Sequence, residues 1–251
     1  GPWCQGPVLI QLLNIVENLN LNDLGLNSAD YVHTLTEATK LAFADREAFY
    51  GDPEFVTVPI NELLSKEYAK GRANMIDKIR AWGEMPPPGD PLKNRTSSRI
   101  VPKTDFQGDV LWEADTSYTC VVDRWGNAFS ATPSDPQLGT PLVPGLGFAI
   151  SDRGSQSWLD NEHPSSLAPG KRPRLTPNPA LSFKDGKLFA AFGTPGGDAQ
   201  VQTMAQVFLN IVEFGMDPQQ AIEQPRFISL SYPNSFWPHI YLPGRLALEG
   251  R

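Results

Sequence analysis

The chain has 251 residues, of which 40% are hydrophobic and 20% charged, a composition typical of a globular protein. Its formal net charge of −7 argues against nucleic acid as a partner. No apolar run reaches the ~18–20 residues needed to span a bilayer, so we expect no membrane association. Cys4 and Cys120 are too few for a disulfide framework, and we expect both to be free thiols.

The first eighty residues carry three helical patterns. Apolar residues at helical spacing predict a first helix over residues 7–20. A second helix is predicted from an N-cap at Ser28 to a stop signal at residues 51–53, and a third over residues 65–79. His33 lies on the second helix, and we interpret it as a helix-face residue because the three histidines lack metal-ligand spacing.

A proline- and glycine-rich stretch separates these helices from a hairpin. Residues 81–108 contain three consecutive prolines and a polar run, which indicates an exposed linker. Residues 118–122 and 128–132 are rich in β-branched and aromatic side chains, with turn chemistry at residues 123–127 between them. We therefore predict two paired strands there, with Cys120 in a core strand.

The second half of the chain is predicted to contain strands first and helices afterwards. A short strand is expected over 146–150, a second hairpin over 178–183 and 187–194, a helix ending at Gly215, and a helix opened by Asp217-Pro218. Strands followed by helices suggest an α+β fold with helices packed outside the sheets.

Several motifs together resemble one known family. Asp-Thr-Ser-Tyr at 115–118, followed by Asp-Arg-Trp-Gly-Asn-Ala-Phe-Ser-Ala-Thr at 123–132, resembles the maturation site of the γ-glutamyltranspeptidase family. The resemblance extends, in the order found in the family, to Ala44-Asp45-Arg46, Gly51-Asp52-Pro53, Gly170-Lys171-Arg172-Pro173 and Gly193-Thr194-Pro195-Gly196-Gly197.

The resemblance implies a four-layer helix–sheet–sheet–helix (αββα) sandwich of the N-terminal nucleophile hydrolase type, of which this chain would be part. It implies a helical segment of the large-subunit type over residues 1–82, an exposed linker over 83–115 and a small-subunit segment over 116–251. We interpret the chain as the middle of a longer precursor, so the missing segments of that precursor are expected partners.

The resemblance also assigns the chemistry to Thr116. Self-cleavage between Asp115 and Thr116 would free the Thr116 α-amino group, which could then act as the base for its own hydroxyl. The backbone N–H groups of Gly196 and Gly197, at a strand-to-helix turn, would stabilise the oxyanion. Thr132 lies where the family places a threonine that orients the nucleophile.

The residues expected to bind substrate depart from the family pattern. Gln156 aligns with the acid that holds the substrate α-amino group, and only Thr176 remains of a serine pair that holds the α-carboxylate. A different acyl group is therefore expected, such as an oxamate-like or a cephalosporin side-chain-like amide. The full set of candidate substrate residues comprises Ser134, Asp135, Arg153, Gln156, Arg174 and Thr176. Either arginine could pair a carboxylate directly, although the simpler interpretation of both is solvated surface.

The sequence thus predicts a self-cleaving threonine amidohydrolase or acyltransferase that forms an acyl-enzyme on Thr116 with a small-molecule amide substrate. One alternative is a true γ-glutamyl transferase or glutathione hydrolase. Another is a non-catalytic scaffold or an inert fragment. No cofactor and no metal are predicted. The compartment, cytoplasmic or periplasmic, and the oligomeric state stay open.

Overall fold

The computed structural model describes residues 1–93, 116–135 and 140–250. Asp115, the predicted cleavage partner of Thr116, lies outside these residues. The helices are α1 Gly6–Val16, α2 Leu21–Leu24, α3 Ala29–Phe49, α4 Ile60–Leu63, α5 Lys66–Ala73, α6 Ala199–Val212 and α7 Pro218–Glu223. The strands are β1 Thr119–Val122, β2 Ala128–Ala131, β3 Ala180–Lys184, β4 Lys187–Phe192, β5 Phe227–Ser229 and β6 Leu246–Leu248.

The hydrophobic core lies between helices from both halves of the chain. Helix α3 is buried along most of its length, and α1 packs against α3, α5 and α6. The core side chains include Val8, Leu12, Ile15, Tyr31, Leu35, Leu41, Phe43, Val201, Met204 and Ala205. Burial of these apolar surfaces, at roughly 25 cal/mol per Å², fixes the N-terminal helices against the helix that follows the predicted oxyanion turn.

The second predicted helix is confirmed and the third is shorter than predicted. The Ser28 side chain accepts a hydrogen bond from the Tyr31 N–H, so it caps α3 as expected. Helix α5 ends at Ala73, and the extension to residue 79 is wrong. The Asp77 carboxylate instead accepts hydrogen bonds from the backbone N–H groups of Ile79 and Arg80, which holds the chain in a turn.

Both predicted hairpins form. Strands β1 and β2 pair antiparallel with Thr119 opposite Ala131, and β3 and β4 pair antiparallel as well. The predicted strand at 146–150 is wrong, because that segment makes only an isolated bridge between Leu142 and Ala149. Cys120 is a free thiol as predicted, but it is exposed and not in a core strand.

The described part of the chain is therefore an α+β protein with helices and three two-stranded antiparallel sheets.

The first part of the predicted linker is anchored and not freely exposed. The Met85 N–H donates to the Tyr241 hydroxyl at 2.7 Å and the Gly89 N–H donates to the Asp45 carboxylate at 2.8 Å. Residues 94–115 of that linker lie outside the described ranges. None of the helices described is long and apolar enough to cross a bilayer.

Candidate active site

Thr116 lies at the entry of the first hairpin, opposite the segment that follows its second strand. The Ser117 N–H donates to the Pro133 carbonyl at 2.9 Å and continues the pairing of β1 with β2. This brings the Thr116 hydroxyl to 2.6 Å from the Ser134 hydroxyl. The predicted nucleophile is therefore half-buried and already hydrogen-bonded through its reactive oxygen atom.

Ser134, and not Thr132, contacts the Thr116 hydroxyl. The Thr132 side chain is buried, and its Oγ1 atom has no hydrogen-bond partner in the structure. In an antiparallel hairpin, side chains alternate between the two faces, so residues 132 and 134 share a face while 133 points away. Thr132 was predicted to contact the Thr116 hydroxyl, but Ser134, a predicted substrate residue, makes this contact.

Arg153 joins this pair of hydroxyl groups to the second half of the site. It begins a 3₁₀ turn, Arg153–Gln156, and its side chain is buried. Its Nη2 atom donates to the hydroxyl and carbonyl oxygens of Ser134, and its Nε atom donates to the same carbonyl at 3.1 Å. The Ser134 hydroxyl therefore contacts both the Arg153 guanidinium and the predicted nucleophile.

Gln156 and Thr176 complete the cluster on the far side of Arg153. The Arg153 Nη1 atom lies 3.2 Å from Thr176 Oγ1 and 3.4 Å from Gln156 Oε1, and Gln156 Nε2 lies 3.3 Å from Thr176 Oγ1. Gln156 and Thr176 are both about 1% exposed. Four of the six predicted substrate residues thus converge beside Thr116.

The other two predicted substrate residues lie elsewhere. Asp135 is exposed and accepts a hydrogen bond from the Ser151 hydroxyl. Arg174 is buried and donates to a carboxylate oxygen of Glu47 at 2.7 Å and to the Arg46 carbonyl at 3.0 Å. The interpretation of Arg153 and Arg174 as solvated surface is wrong for both, because tertiary partners far away in sequence bury them.

The glycine turn adopts backbone angles that favour glycine. Gly196 has φ 120° and Gly197 has φ 52°, and the turn leads directly into the 14-residue helix α6. The space beside the Gly197 Cα is occupied by the Phe236 ring, 3.6 Å from where a Cβ would lie. The Arg153 guanidinium lies 5.4 Å from the centroid of the same ring. Phe236 thus lies between the glycine turn and the Arg153 cluster.

Asp198, which is not among the predicted site residues, anchors the turn. Its buried carboxylate accepts hydrogen bonds from Gln5 Nε2 at 2.8 Å and from the Ser235 N–H and hydroxyl at 2.6 Å each. It also pairs with the fully buried Arg46. Arg46 belongs to one of the motifs that carried the family resemblance, so that motif serves to hold the glycine turn in place.

A second carboxylate extends this buried ionic cluster. Glu47 pairs with Arg46 and Arg174, each at 2.7 Å, and lies 3.2 Å from a ring nitrogen of His163. Burial alone would raise the pKa of Glu47, but the two arginines outweigh burial and hold this pKa well below its usual range. Burial lowers the pKa of Arg174 to about 10, which still leaves it charged at neutral pH.

Two further family motifs contact each other. The Asp52 carboxylate accepts hydrogen bonds from Arg172 Nη2 at 2.7 Å and Nε at 3.0 Å. This bidentate pair ties the loop after α3 to the segment that carries Arg174 and Thr176. The pair thereby fixes one wall of the Arg153 cluster to the helical core.

No group of three or more histidine, cysteine or acidic side chains positioned to hold a metal occurs within the described ranges. His33 lies on α3 as predicted, and its Nε2 atom is 2.7 Å from the Asp77 carbonyl oxygen. The absence of a cofactor stays a prediction.

Comparisons with known proteins identify relatives over nearly the whole chain. A sequence model of the family described as Gamma-glutamyltranspeptidase matches residues 1–240. The glutathione hydrolase proenzyme of Bacillus subtilis is 33% identical over 245 residues, which are 97% of this chain and 41% of that protein. The oxamate amidohydrolase proenzyme of Klebsiella pneumoniae is 34% identical over 91% of this chain and 39% of that protein.

A solved structure is also similar to this chain over its whole length. The structure of LmbA2991HD superimposes with a TM-score of 0.85 and 40% sequence identity over 100% of this chain and 43% of that chain. The chain spans about two fifths of the length of the curated relatives it matches. With a family match over residues 1–240, the chain belongs to the γ-glutamyltranspeptidase family.

Proposed function

We propose that this chain is the central part of a self-cleaving amidohydrolase or acyltransferase whose nucleophile is the Thr116 hydroxyl. The observation that carries the proposal is the contact of this hydroxyl with Ser134, 2.6 Å away, at the edge of a buried cluster of polar side chains. A hydroxyl hydrogen-bonded to a second hydroxyl is oriented and can pass its proton along the contact. The names of relatives, which include hydrolases and amidohydrolases, support this reaction class.

In the proposed maturation, the Thr116 hydroxyl attacks the carbonyl carbon of residue 115, the amide bond between residues 115 and 116 breaks, and residue 115 is left as an ester on the Thr116 oxygen. Water then hydrolyses this ester, which releases the carboxyl group of residue 115 and restores the Thr116 hydroxyl. The freed α-amino group has an unperturbed pKa of roughly 7.7–8.0, so an appreciable fraction is unprotonated near neutrality. In each turnover this amine accepts the hydroxyl proton as the oxygen attacks the substrate amide. The proton then goes to the leaving amine, and an ester on Thr116 remains until water or an amine acceptor takes the acyl group.

The oxyanion formed in each attack is proposed to be stabilised at the Gly196–Gly197 turn. Helix α6 begins two residues later, so its dipole adds positive potential at its N-terminus, which includes the turn. Asp198 fixes the turn through its contacts with Ser235 and Arg46. The backbone N–H groups of Gly196 and Gly197 therefore need little reorganisation during the reaction.

The proposed division of the chain follows from the cleavage site. Residues 1–82 would be a helical part of the large subunit, and residues 83–115 would be a linker that ends at the cleaved bond. Residues 116–251 would be part of the small subunit. The whole precursor is proposed to stack its sheets in the four-layer αββα arrangement. All four residues of strand β1 are exposed, which supports covering of this hairpin by further segments of the precursor.

A second candidate function is true γ-glutamyl transfer or glutathione hydrolysis, the activity named for the Bacillus subtilis relative. Hydrolysis of γ-glutamyl p-nitroanilide should be compared with that of a short acidic anilide, in the wild type and in Thr116→Ala. A preference for the acidic anilide that is lost in Thr116→Ala supports the proposal. A preference for the γ-glutamyl compound supports the second candidate. Equal, negligible rates in both proteins would instead point to a non-catalytic scaffold.

A further inference from the structure

Arg153 differs from the other buried arginines in the described part of the chain because it has no carboxylate partner. Arg46 pairs with Asp198, Arg72 with Asp45, and Arg174 with Glu47. Arg153 is 8% exposed and makes no such pair. A buried cation is costly unless it is paired, so an arginine kept in this state indicates an anion that binds there from solution.

The acceptors that now surround Arg153 are all neutral. Ser134 supplies a hydroxyl and a carbonyl oxygen, while Gln156 and Thr176 supply one oxygen each. The contacts of the Nη1 edge, at 3.2 and 3.4 Å, are longer than the ~2.7–2.9 Å of a charge-assisted hydrogen bond. The Nη1 edge is therefore weakly occupied, and a carboxylate would satisfy it better than an amide or a hydroxyl group.

We propose that Arg153 binds a carboxylate in the acyl group of the substrate, so that the preferred substrates are monoamides of short dicarboxylic acids. This inference rests on the proposed function of Thr116 and deepens it by naming the substrate class. A guanidinium binds a carboxylate in a planar, bidentate geometry that a lysine does not reproduce. Arg153 is thus a specificity-determining residue that contacts the substrate.

The position of Arg153 limits the length of the acid. The guanidinium and the Thr116 hydroxyl both contact the Ser134 hydroxyl oxygen, so a single oxygen atom separates them. A reacting carbonyl carbon lies about 3–3.5 Å from its nucleophile, and a bound carboxylate oxygen about 2.8 Å from the guanidinium. These distances leave room for few atoms between the two groups, so the acid should contain about two to four carbon atoms.

The same cluster offers no acid for an ammonium group. Gln156 and Thr176 are neutral, and within the described residues no ion pair joins the Arg153 guanidinium to an acid. Asp135 lies at the exposed side, where it binds the Ser151 hydroxyl. A substrate ammonium placed beside Arg153 would meet a like charge among buried side chains. We therefore expect an α-ammonium group on the acyl chain to weaken binding.

The proposal is tested with the self-processed protein and matched pairs of anilides. The p-nitroanilides of oxamic and succinic acid are compared with their methyl esters, which have nearly the same shape but no charge. We expect kcat/KM to be at least a hundredfold higher for the acids in the wild type. Arg153→Met should reduce this ratio to near one, mainly by slowing the acids, and Arg153→Lys should restore part of it. Arg124→Met, which removes an exposed guanidinium from the hairpin turn, should leave the ratio unchanged.

Equal rates for acid and ester in the wild type would overturn the proposal for Arg153 but not the one for Thr116. If no anilide is hydrolysed, the proposal for Thr116 fails, and succinate binding measured by calorimetry still decides the role of Arg153. Binding that disappears in Arg153→Met but not in Arg124→Met supports an anion site. No binding of succinate to the wild type contradicts it. If Arg153→Met does not fold, the comparison of acid with ester in the wild type is sufficient.

Discussion

Replacement of Asp198 by asparagine should destabilise the protein more strongly than any surface substitution of the same kind. The Asp198 carboxylate is fully buried and accepts hydrogen bonds from four donors, on Gln5, Arg46 and Ser235. An amide offers a single acceptor oxygen, and its NH2 group would face donors. The buried cluster of Arg46, Arg174, Glu47 and Asp198 also changes from balanced charge to one excess positive charge.

The magnitude follows from the loss of one partner of a buried ion pair. Such a loss costs about 3–5 kcal/mol, because the remaining charge stays buried without compensation. A domain is stable by only about 5–15 kcal/mol, so about a fifth or more of the stability would be lost. With a urea m-value near the upper end of about 1–3 kcal/mol/M, the unfolding midpoint should fall by at least about 1 M.

The assay is urea unfolding followed by circular dichroism at pH 7. Asp30→Asn is the matched control, because Asp30 is an exposed aspartate in the first turn of α3 and should shift stability by no more than about 1 kcal/mol. The double variant Arg46→Met/Asp198→Asn should be more stable than the sum of the single effects by at least about 1 kcal/mol. A shift for Asp198→Asn as small as that of the control would refute the argument.

Three further predictions concern single substitutions. Ser134→Ala removes the partner of the Thr116 hydroxyl and should slow self-cleavage about ten- to a hundredfold in a mass-spectrometric time course; an unchanged rate would show that the contact is not used. Gly193→Ala should lower the unfolding free energy by about 1–3 kcal/mol, because the added Cβ would overlap the Tyr118 ring, and an unshifted melting temperature would contradict the packing. Glu47 has a folded-state pKa below its unfolded value, so its contribution to stability is present above about pH 4.5 and is lost on further acidification. The urea midpoint of Glu47→Gln should therefore fall less between pH 5 and pH 3 than the midpoint of the wild type. Equal falls in the two proteins would argue against the pairing.

The elements that sequence predicted correctly depend on local interactions. The caps at Ser28 and Asp217 and the hairpin turn at Asp123 are each made by residues within five positions of one another. Such contacts follow from side-chain chemistry and spacing alone. The sequence also identifies part of the cluster around Thr116, since Ser134 and Arg153 are both among the candidate substrate residues.

The features that sequence missed depend on distant contacts. Asp198 and Arg46 are 152 positions apart, and nothing in the local pattern of either residue predicts their pairing. The burial of Arg174 depends on Glu47 in the same way. The resemblance names Thr132 as the orienting residue and Ser134 as a substrate residue, but it does not specify which side chain reaches across the hairpin. The hairpin register, with Thr119 opposite Ala131, places Ser134 across from Thr116.

The most direct test of the account is the intact mass of the full-length protein after incubation, for the wild type, Thr116→Ala and Ser117→Ala. Ser117 is the matched control because it is the adjacent hydroxyl residue and is exposed. The account predicts two pieces divided between residues 115 and 116 in the wild type and in Ser117→Ala, and one uncut chain in Thr116→Ala. A single uncut chain in the wild type, or cleavage that persists in Thr116→Ala, would contradict the assignment of Thr116 as the nucleophile.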